Sequence, residues 1–137
     1  MPETVFGDTA YFVALIDRTD AHATTARALL AELQRRGVNF VTTDAVLIEV
    51  GNYFAATRWR AAAIDWINVI RSHQGWEVVP LDPPLLAAAE ARYRRHEDKN
   101  WSLTDCISME VMSGRKLVEI ATTDHGFAQA GFRPLLA

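Results

Sequence analysis

The sequence has a single cysteine, Cys106, so the chain cannot form an internal disulfide. This is typical of proteins in a reducing compartment. No run of about 20 apolar residues occurs, which excludes a membrane-spanning helix. The opening stretch MPETVFGD lacks the basic and apolar segments of a signal peptide. These absences predict a soluble, cytoplasmic protein.

An excess of positive charge is also missing, since 14 Lys and Arg face 17 Asp and Glu for a formal net charge of −3. A nucleic acid would therefore have to meet a local basic patch. The candidates are Arg58, Arg60, Arg92, Arg94, Arg95, Arg115 and Lys116. Each is more often a solvated side chain than a ligand contact, and the sequence does not select among them.

Two nucleotide-binding motifs, G-x-G-x-x-G and G-x-x-x-x-G-K-[ST], are absent, which argues against the common nucleotide-binding enzymes. The histidines are scattered and lack metal-ligand spacing, so a zinc site is not expected. They are His22, His73, His96 and His125. The tryptophans Trp59, Trp66, Trp76 and Trp101 could stack on bases, but burial in a core or an interface is the commoner role.

What the chain does have is an alternation of strand and helix patterns over 137 residues, half of them hydrophobic. Strands are predicted at 4–8, 38–43, 76–81, 117–123 and, at an edge, 133–136. Helices are predicted at 10–17, 20–37, 44–57, 59–75, 82–97, 102–114 and 125–131. The alternation predicts one domain over residues 1–137, an α/β fold built as a three-layer α/β/α sandwich around a parallel sheet of four to five strands.

An aspartate follows each of four predicted strands, at Asp8, Asp44, Asp82 and Asp124. Ligands of open α/β sheets bind beyond the carboxyl ends of the strands, so these positions are candidates for a site. Taken alone, each is better explained as a helix cap. Asp44 and Asp82 fit capping best, and Asp20 is expected to cap the helix that ends at Gly37.

Two further acids lie on helices. Helix 44–57 is so apolar that burial on all sides is expected, which makes Glu49 and Asn52 a narrow polar stripe on a buried element. An ionised Glu there is costly unless it is paired or bound to a metal. Asp105, in WSLTDCISMEVM, fits a capping box with Ser102, and Gly114 is expected just past the end of that helix.

Four segments together resemble the PIN domain family, and within it the VapC-type toxins of type II toxin–antitoxin pairs. These segments are GDTAYFVALID, IEVGNYF, WSLTDCISMEVM and ATTDHGFAQAGFRPLL. The resemblance implies an RNA-cleaving, metal-dependent endoribonuclease, a VapB-type antitoxin partner and a homodimer. Its acidic quartet falls on Asp8, Glu49, Asp105 and Asp124, and its supporting polar residues on Thr9, Asn52, Thr104 and Thr123. Gly7 departs from the apolar residue usual before the first acid, which could loosen the end of that strand.

The chemistry of four converging carboxylates agrees with this mapping. Such groups repel one another and raise the pKa of some members, and a divalent cation relieves the conflict. An all-oxygen ligand set suits Mg²⁺, with Mn²⁺ as an alternative.

Two other readings stay open at the level of sequence. A phospho-acceptor receiver-like domain would need adjacent acids after strand one and a Lys after the last strand; GDTAY has one acid, and no Lys follows Lys116. A catalytically silent PIN-like binding module is opposed, though not excluded, by the complete quartet.

Overall fold

The computed structural model describes residues 3–137, and within them five strands and seven helices alternate along the chain. The strands are β1 (Thr4–Gly7), β2 (Asn39–Thr43), β3 (Trp76–Val79), β4 (Glu119–Ala121) and β5 (Arg133–Pro134). The helices are α1 (Thr9–Ile16), α2 (Ala23–Arg35), α3 (Asp44–Tyr53), α4 (Arg60–Ser72), α5 (Pro83–Arg95), α6 (Leu103–Gly114) and α7 (Gly126–Gln129). In this part of the chain no helix is long and apolar enough to cross a bilayer.

The five strands form one parallel sheet in the order β3-β2-β1-β4-β5, flanked by helices. The predicted fold class is confirmed, including the edge strand near the end of the chain. Strands β2 and β3 extend the sheet on one side of β1, and β4 and β5 extend it on the other side. Ligands bind at such a switch point, beyond the carboxyl ends of the two central strands. The order also differs from the 2-1-3-4-5 order of receiver domains.

The most deeply buried helix is α1, not α3 as the sequence suggests. Residues 11–16 of α1 are all buried, because the helix lies under α2 and α3 and follows directly from the central strand. In α3, by contrast, Ile48 and Tyr53 are each 58% exposed and Asn52 is exposed. The prediction of an α3 buried on all sides is therefore wrong. Glu49 lies half-buried at the edge of the packed face.

The predicted helix caps are partly confirmed. Asp82 caps α5 by accepting a hydrogen bond of 2.9 Å from Leu85 N. Asp44 is not a cap, because Thr43 caps α3 and Asp44 instead pairs with Arg71 at 2.7 Å. Asp20 does not cap α2 either. It accepts from His22 N at 2.8 Å, one turn before the helix begins.

Two glycines behave differently at their helix ends. Gly37 follows α2 in a left-handed conformation (φ +66°), as expected of a helix stop. Gly114 is the last residue of α6 rather than a residue beyond it, and the left-handed position after that helix is taken by Lys116 (φ 57°).

Gly7 does not loosen the end of β1. A Cβ atom at this position would lie only 2.8 Å from Cζ of Phe12 and 3.2 Å from Cζ3 of Trp76, so the aromatic rings occupy the space a side chain would need. Gly7 pairs with Ala121 of β4, and its carbonyl accepts a 2.8 Å hydrogen bond from the buried Thr42 hydroxyl. The strand therefore ends in a packed position directly before Asp8.

Candidate active site

A cleft of about 430 Å³ opens at the carboxyl ends of β1 and β4. All four acids of the predicted quartet line it, and each comes from a different part of the chain. Asp8 ends β1, Asp124 follows β4, Glu49 projects from α3, and Asp105 lies in the first turn of α6. The fold thus brings together acids that are up to 116 positions apart in the sequence.

Asp8 is the deepest of the four, with 4% of its surface exposed. It occupies the N-cap position of α1 but its side chain makes no capping hydrogen bond, so the simple explanation for this aspartate fails. Its Oδ2 accepts a 2.7 Å hydrogen bond from the Thr122 hydroxyl. Its Oδ1 is buried and has no hydrogen-bond partner within residues 3–137.

Burial raises the pKa of Asp8 to about 7, and the negative charges of Asp105 and Glu49 push it in the same direction. The hydrogen bond from Thr122 opposes this shift without cancelling it. A carboxyl group with one free oxygen and a raised pKa is the environment that a cation would relieve.

Asp105 caps α6 and also lines the cleft. Its Oδ2 accepts from Ser102 N, and its own N–H donates to the Ser102 hydroxyl, both at 3.0 Å. The predicted capping box is therefore confirmed. Burial raises the pKa of Asp105, with Asp124 and Glu49 adding to the shift and the Ser102 hydrogen bonds opposing it. The cap fixes one carboxylate oxygen and thereby the direction of the other.

Asp124 is held by a short chain of hydrogen bonds. Its N–H donates to Thr122 Oγ1 at 3.1 Å, and its Oδ1 accepts from Gly126 N at 2.8 Å. The Gly126 carbonyl in turn accepts a 3.0 Å bond from the indole N–H of Trp101, which is 7% exposed. Thr122 thus connects Asp124 to Asp8, and Trp101 connects the Asp124 turn to the segment that opens α6.

The predicted supporting residues divide into two groups. Thr9 and Thr123 line the cleft, and the Thr9 hydroxyl is buried without a partner among the described residues. Asn52 and Thr104 are not among the residues that line it. Thr104 contributes a carbonyl that accepts from the Ser108 hydroxyl within α6.

Several cleft residues were missed at the sequence level. They are Ala10, Val13, Asp20, His22, Tyr53 and Ser102. The buried Thr122 was missed at the sequence level as well. The segment ATTD did offer a signal for it, because side chains alternate along a strand. This alternation places Thr122 on the same face as Ile120.

Four of the basic candidates have partners away from this cleft. Arg92 pairs with Glu110 at 2.5 Å, and Arg115 pairs with Glu77 through both terminal nitrogens at 2.6 and 2.7 Å. Arg60 donates to the Ala55 carbonyl, and the Arg58 guanidinium lies 4.8 Å from the Trp59 ring centroid. None of these four lines the carboxylate cleft.

The donor set fits a hard divalent cation by its chemistry. All four carboxylates are oxygen donors, and the buried Asp8 Oδ1 is without a partner in the described chain. Over residues 3–137, however, no three His, Cys, Asp or Glu side chains stand in an arrangement that would already hold a metal ion. Asp105 and Asp124 each direct one oxygen to a backbone N–H, so their second oxygens are the ones available.

A PIN domain family model matches residues 5–133, nearly the whole chain. The chain belongs to the PIN domain family. This PIN domain is similar to the crystal structure of Mycobacterium tuberculosis VapC20, described as a sarcin-ricin loop cleaving toxin. The TM-score is 0.86 at 25% sequence identity, over 96% of this chain and 98% of that one. The resemblance to VapC-type PIN domains is thereby confirmed, and it supports a nuclease of the toxin–antitoxin class.

A second similar structure is FitAcB from Neisseria gonorrhoeae, with a TM-score of 0.64 at 16% identity over 95% of this chain and 97% of that one. At this identity the likeness shows the PIN fold alone. Among curated proteins no sequence matches this PIN domain significantly. Family membership and the strand order together rule out the receiver-like alternative.

Proposed function

We propose that this chain, as a single domain over residues 1–137, is a Mg²⁺-dependent endoribonuclease and the toxin of a type II toxin–antitoxin pair acting in the cytoplasm. The observation that carries the proposal is the convergence of Asp8, Glu49, Asp105 and Asp124 on one cleft at the switch point of the sheet. Membership of the PIN family and the likeness to VapC20 support it.

In this mechanism Asp8, Asp105, Asp124 and Glu49 would hold Mg²⁺, with Mn²⁺ as an alternative. Such an ion would supply Lewis-acid activation of water and stabilisation of the charge that develops on the scissile phosphate. Thr122 fixes Oδ2 of Asp8 and leaves the buried Oδ1 without a partner in the described chain. The capping box likewise fixes Oδ2 of Asp105. The two carboxylates are thus oriented by their own hydrogen bonds before any ligand arrives.

Thr9 and Thr123 are proposed to orient carboxylate or phosphate oxygens from the wall of the cleft. Asn52 and Thr104, which do not line it, would act only through neighbouring residues. Substituting each of the four acids and each of the four supporting residues in turn tests the role assigned to it.

The decisive experiment is cleavage of a single-stranded RNA by the purified protein with Mg²⁺, with Mn²⁺ and with EDTA. Cleavage is expected with either ion and not with EDTA. Asp8→Asn and Asp105→Asn are each expected to reduce the rate at least 100-fold, because each removes one charged ligand. Asp65→Asn is the matched control, since Asp65 is exposed on α4 and does not line the carboxylate cleft.

Wild-type rates for both Asp8→Asn and Asp105→Asn would overturn the site assignment. A wild-type protein that binds RNA but never cleaves it would instead favour the catalytically silent binding module. Circular dichroism of each variant verifies that the fold is retained.

The likeness to VapC20 and the VapC resemblance also carry proposals on partners. We expect a VapB-type antitoxin, encoded by a small neighbouring reading frame, whose co-expression relieves growth arrest caused by this chain. A homodimer is expected from light scattering of the purified protein. Because VapC20 is described as cleaving the sarcin-ricin loop, primer extension across that loop is the first substrate test, followed by sequencing of RNA ends in arrested cells.

A further inference from the structure

A second cleft, of about 520 Å³, adjoins the carboxylate cleft. It lies between the end of α5 and the loop that leads into α6, and Tyr93, His96, Lys99, Asn100 and Ser102 are among its lining residues. We call it the loop cleft. The proposed function uses none of these residues except Ser102.

Ser102 joins the two clefts. It lines both, and its backbone N–H donates to Oδ2 of Asp105 while its hydroxyl accepts from Asp105 N. An occupant of the loop cleft would therefore lie within one residue's width of the carboxylate cleft. In a continuous RNA strand whose scissile phosphate lies in the carboxylate cleft, a nucleotide next to that phosphate would lie in the loop cleft.

The walls of the loop cleft offer exposed aromatic surface on a rigid base. Tyr93 is 51% exposed, although it lies on a helix that packs against α6. The His96 ring lies 4.8 Å from the ring of Trp101, and Trp101 is itself buried and bonded to the Gly126 carbonyl. The Trp101 side chain is thus support for the cleft rather than a free stacking surface. Unpaired bases stack on such aromatic side chains.

The loop cleft is lined by one lysine, Lys99, and one acid, Glu97, whereas five acids and no Lys or Arg line the carboxylate cleft. The carboxylate cleft concentrates acids, which repel phosphates unless a cation intervenes. The loop cleft adds Lys99, whose ion pair with Asp98 at 3.2 Å is on the surface and therefore weak. Asn100 and Glu97 in the same wall supply donors and acceptors for the edge of a base.

We propose that the loop cleft binds an unpaired RNA base adjacent to the scissile phosphate, with Tyr93 and His96 stacking on the base and Lys99 meeting a neighbouring phosphate. The inference rests on the proposed function and extends it, because it names the residues that select the cleavage site. In this proposal the loop cleft holds the RNA strand. The arginines that have partners away from the carboxylate cleft do not.

The test measures RNA affinity and cleavage separately. Affinity for a fluorescent single-stranded RNA is measured without divalent cations in an Asp8→Asn background, in which the RNA is expected to stay intact. Tyr93→Ala and His96→Ala are each expected to weaken binding about tenfold, the size of one lost base–aromatic stack. Tyr93→Phe keeps the ring and is expected to bind like the parent. In the Asp8-containing protein the same substitutions should raise KM and leave kcat nearly unchanged.

Lysine substitutions test the phosphate contact. Lys99→Gln is expected to reduce the slope of log Kd against log salt concentration by about 0.7, the value for one phosphate contact on a single strand. Lys116, the other lysine of the chain, is exposed and lines neither cleft, so Lys116→Gln is its matched control. Val69→Ala, at a position 52% exposed on α4, is the control for Tyr93→Ala.

Sequencing of RNA ends gives the most specific readout. If the loop cleft reads a base, Tyr93→Ala and His96→Ala change the nucleotide preference at one position beside the cut, and Val69→Ala does not. Wild-type cleavage together with unchanged affinity, KM and preference in both variants overturns the loop-cleft proposal and leaves the proposed function standing. Loss of RNA affinity in both variants of a protein that never cleaves RNA supports RNA binding in the loop cleft, but overturns the endoribonuclease and the placement of the base beside a scissile phosphate.

Discussion

At the scale of single residues, Asp8 decides how the site should be interpreted. Aspartates that follow strands are usually helix caps, yet this one makes no capping hydrogen bond and is buried with one oxygen unpartnered among the described residues. A buried carboxylate raises the free energy of the folded state whenever it is charged. The protein therefore carries an unfavourable interaction at the point where the proposed Mg²⁺ would bind.

Asp8→Asn is expected to stabilise the metal-free protein at high pH. The pKa of Asp8 is about 7 in the fold against 3.8 for an unperturbed aspartate, so the folded state binds the extra proton between these values. Asp8 therefore contributes most to the free energy of unfolding at about pH 4 and below, and this contribution is lost as pH rises through 7. At pH 8 the variant should exceed wild type by roughly 2–4 kcal/mol in free energy of unfolding, and the difference should shrink towards pH 4–5.

Urea denaturation in EDTA from pH 4 to pH 8 measures this difference directly. Acids outside the cleft contribute equally to both curves, so the difference reports Asp8 together with its coupling to Asp105 and Glu49. Asp65→Asn, at an exposed site on α4, is the matched control. Parallel curves for wild type and Asp8→Asn would show that burial does not penalise the Asp8 carboxylate.

At the scale of elements, the site depends on a link between the start of α6 and the turn after β4. The Trp101 indole N–H donates to the Gly126 carbonyl, and Gly126 N donates to Asp124 Oδ1. Gly126 also has little spare room, since a Cβ atom there would lie 3.1 Å from Asp124 Oδ1 and 3.3 Å from Trp101 Cδ1. Trp101 makes no hydrogen bond to Asp124 itself. It positions the Asp124 carboxylate through Gly126, which bonds to both residues.

Trp101→Phe is expected to weaken the response to Mg²⁺ more than it weakens the fold. It removes one hydrogen bond and keeps an aromatic ring, so the free energy of unfolding should fall by about 1 kcal/mol. Because the Asp124 turn loses its anchor, the Mg²⁺ concentration for half-maximal cleavage should rise several-fold, as is usual for residues that orient ligands. RNA cleavage across a Mg²⁺ titration measures this.

Trp66→Phe is the matched control for Trp101→Phe. Trp66 lies on α4, packs partly buried against the core, and does not line the carboxylate cleft. It should lose stability and keep the wild-type Mg²⁺ dependence. Equal Mg²⁺ dependence in both variants would reduce the role of Trp101 to packing alone.

The elements also show what sequence could and could not predict. The order of strands and helices, the Asp82 cap and the Ser102–Asp105 capping box followed from local patterns, because each depends on residues close in the chain. The burial of α1 and the exposure of Ile48 and Tyr53 on α3 did not. Both helices are apolar, and only tertiary packing decides which of them the others cover.

The same distinction holds within the site. Acids at the ends of strands could be placed at one edge of the sheet from topology alone, which brought Asp8 and Asp124 together. The Thr122 hydrogen bond to Asp8 joins residues 114 positions apart, and no local pattern predicts such a contact. The packing of Phe12 and Trp76 against Gly7 could not be predicted from the sequence for the same reason.

At the scale of the whole molecule, the proposed metal and the proton compete for the same carboxylates, so Mg²⁺ should stabilise the fold in a pH-dependent way. A ligand at 100 times its Kd adds about 2.7 kcal/mol, which raises the Tm of a domain this size by about 5–15 °C. We expect such a shift at pH 8 in thermal denaturation with 10 mM Mg²⁺ against NaCl of equal ionic strength (about 30 mM). The shift should shrink by pH 5, where Asp8 is protonated. Asp8→Asn should lose most of it at pH 8, and Asp65→Asn none; an equal shift in wild type and Asp8→Asn would place the cation elsewhere.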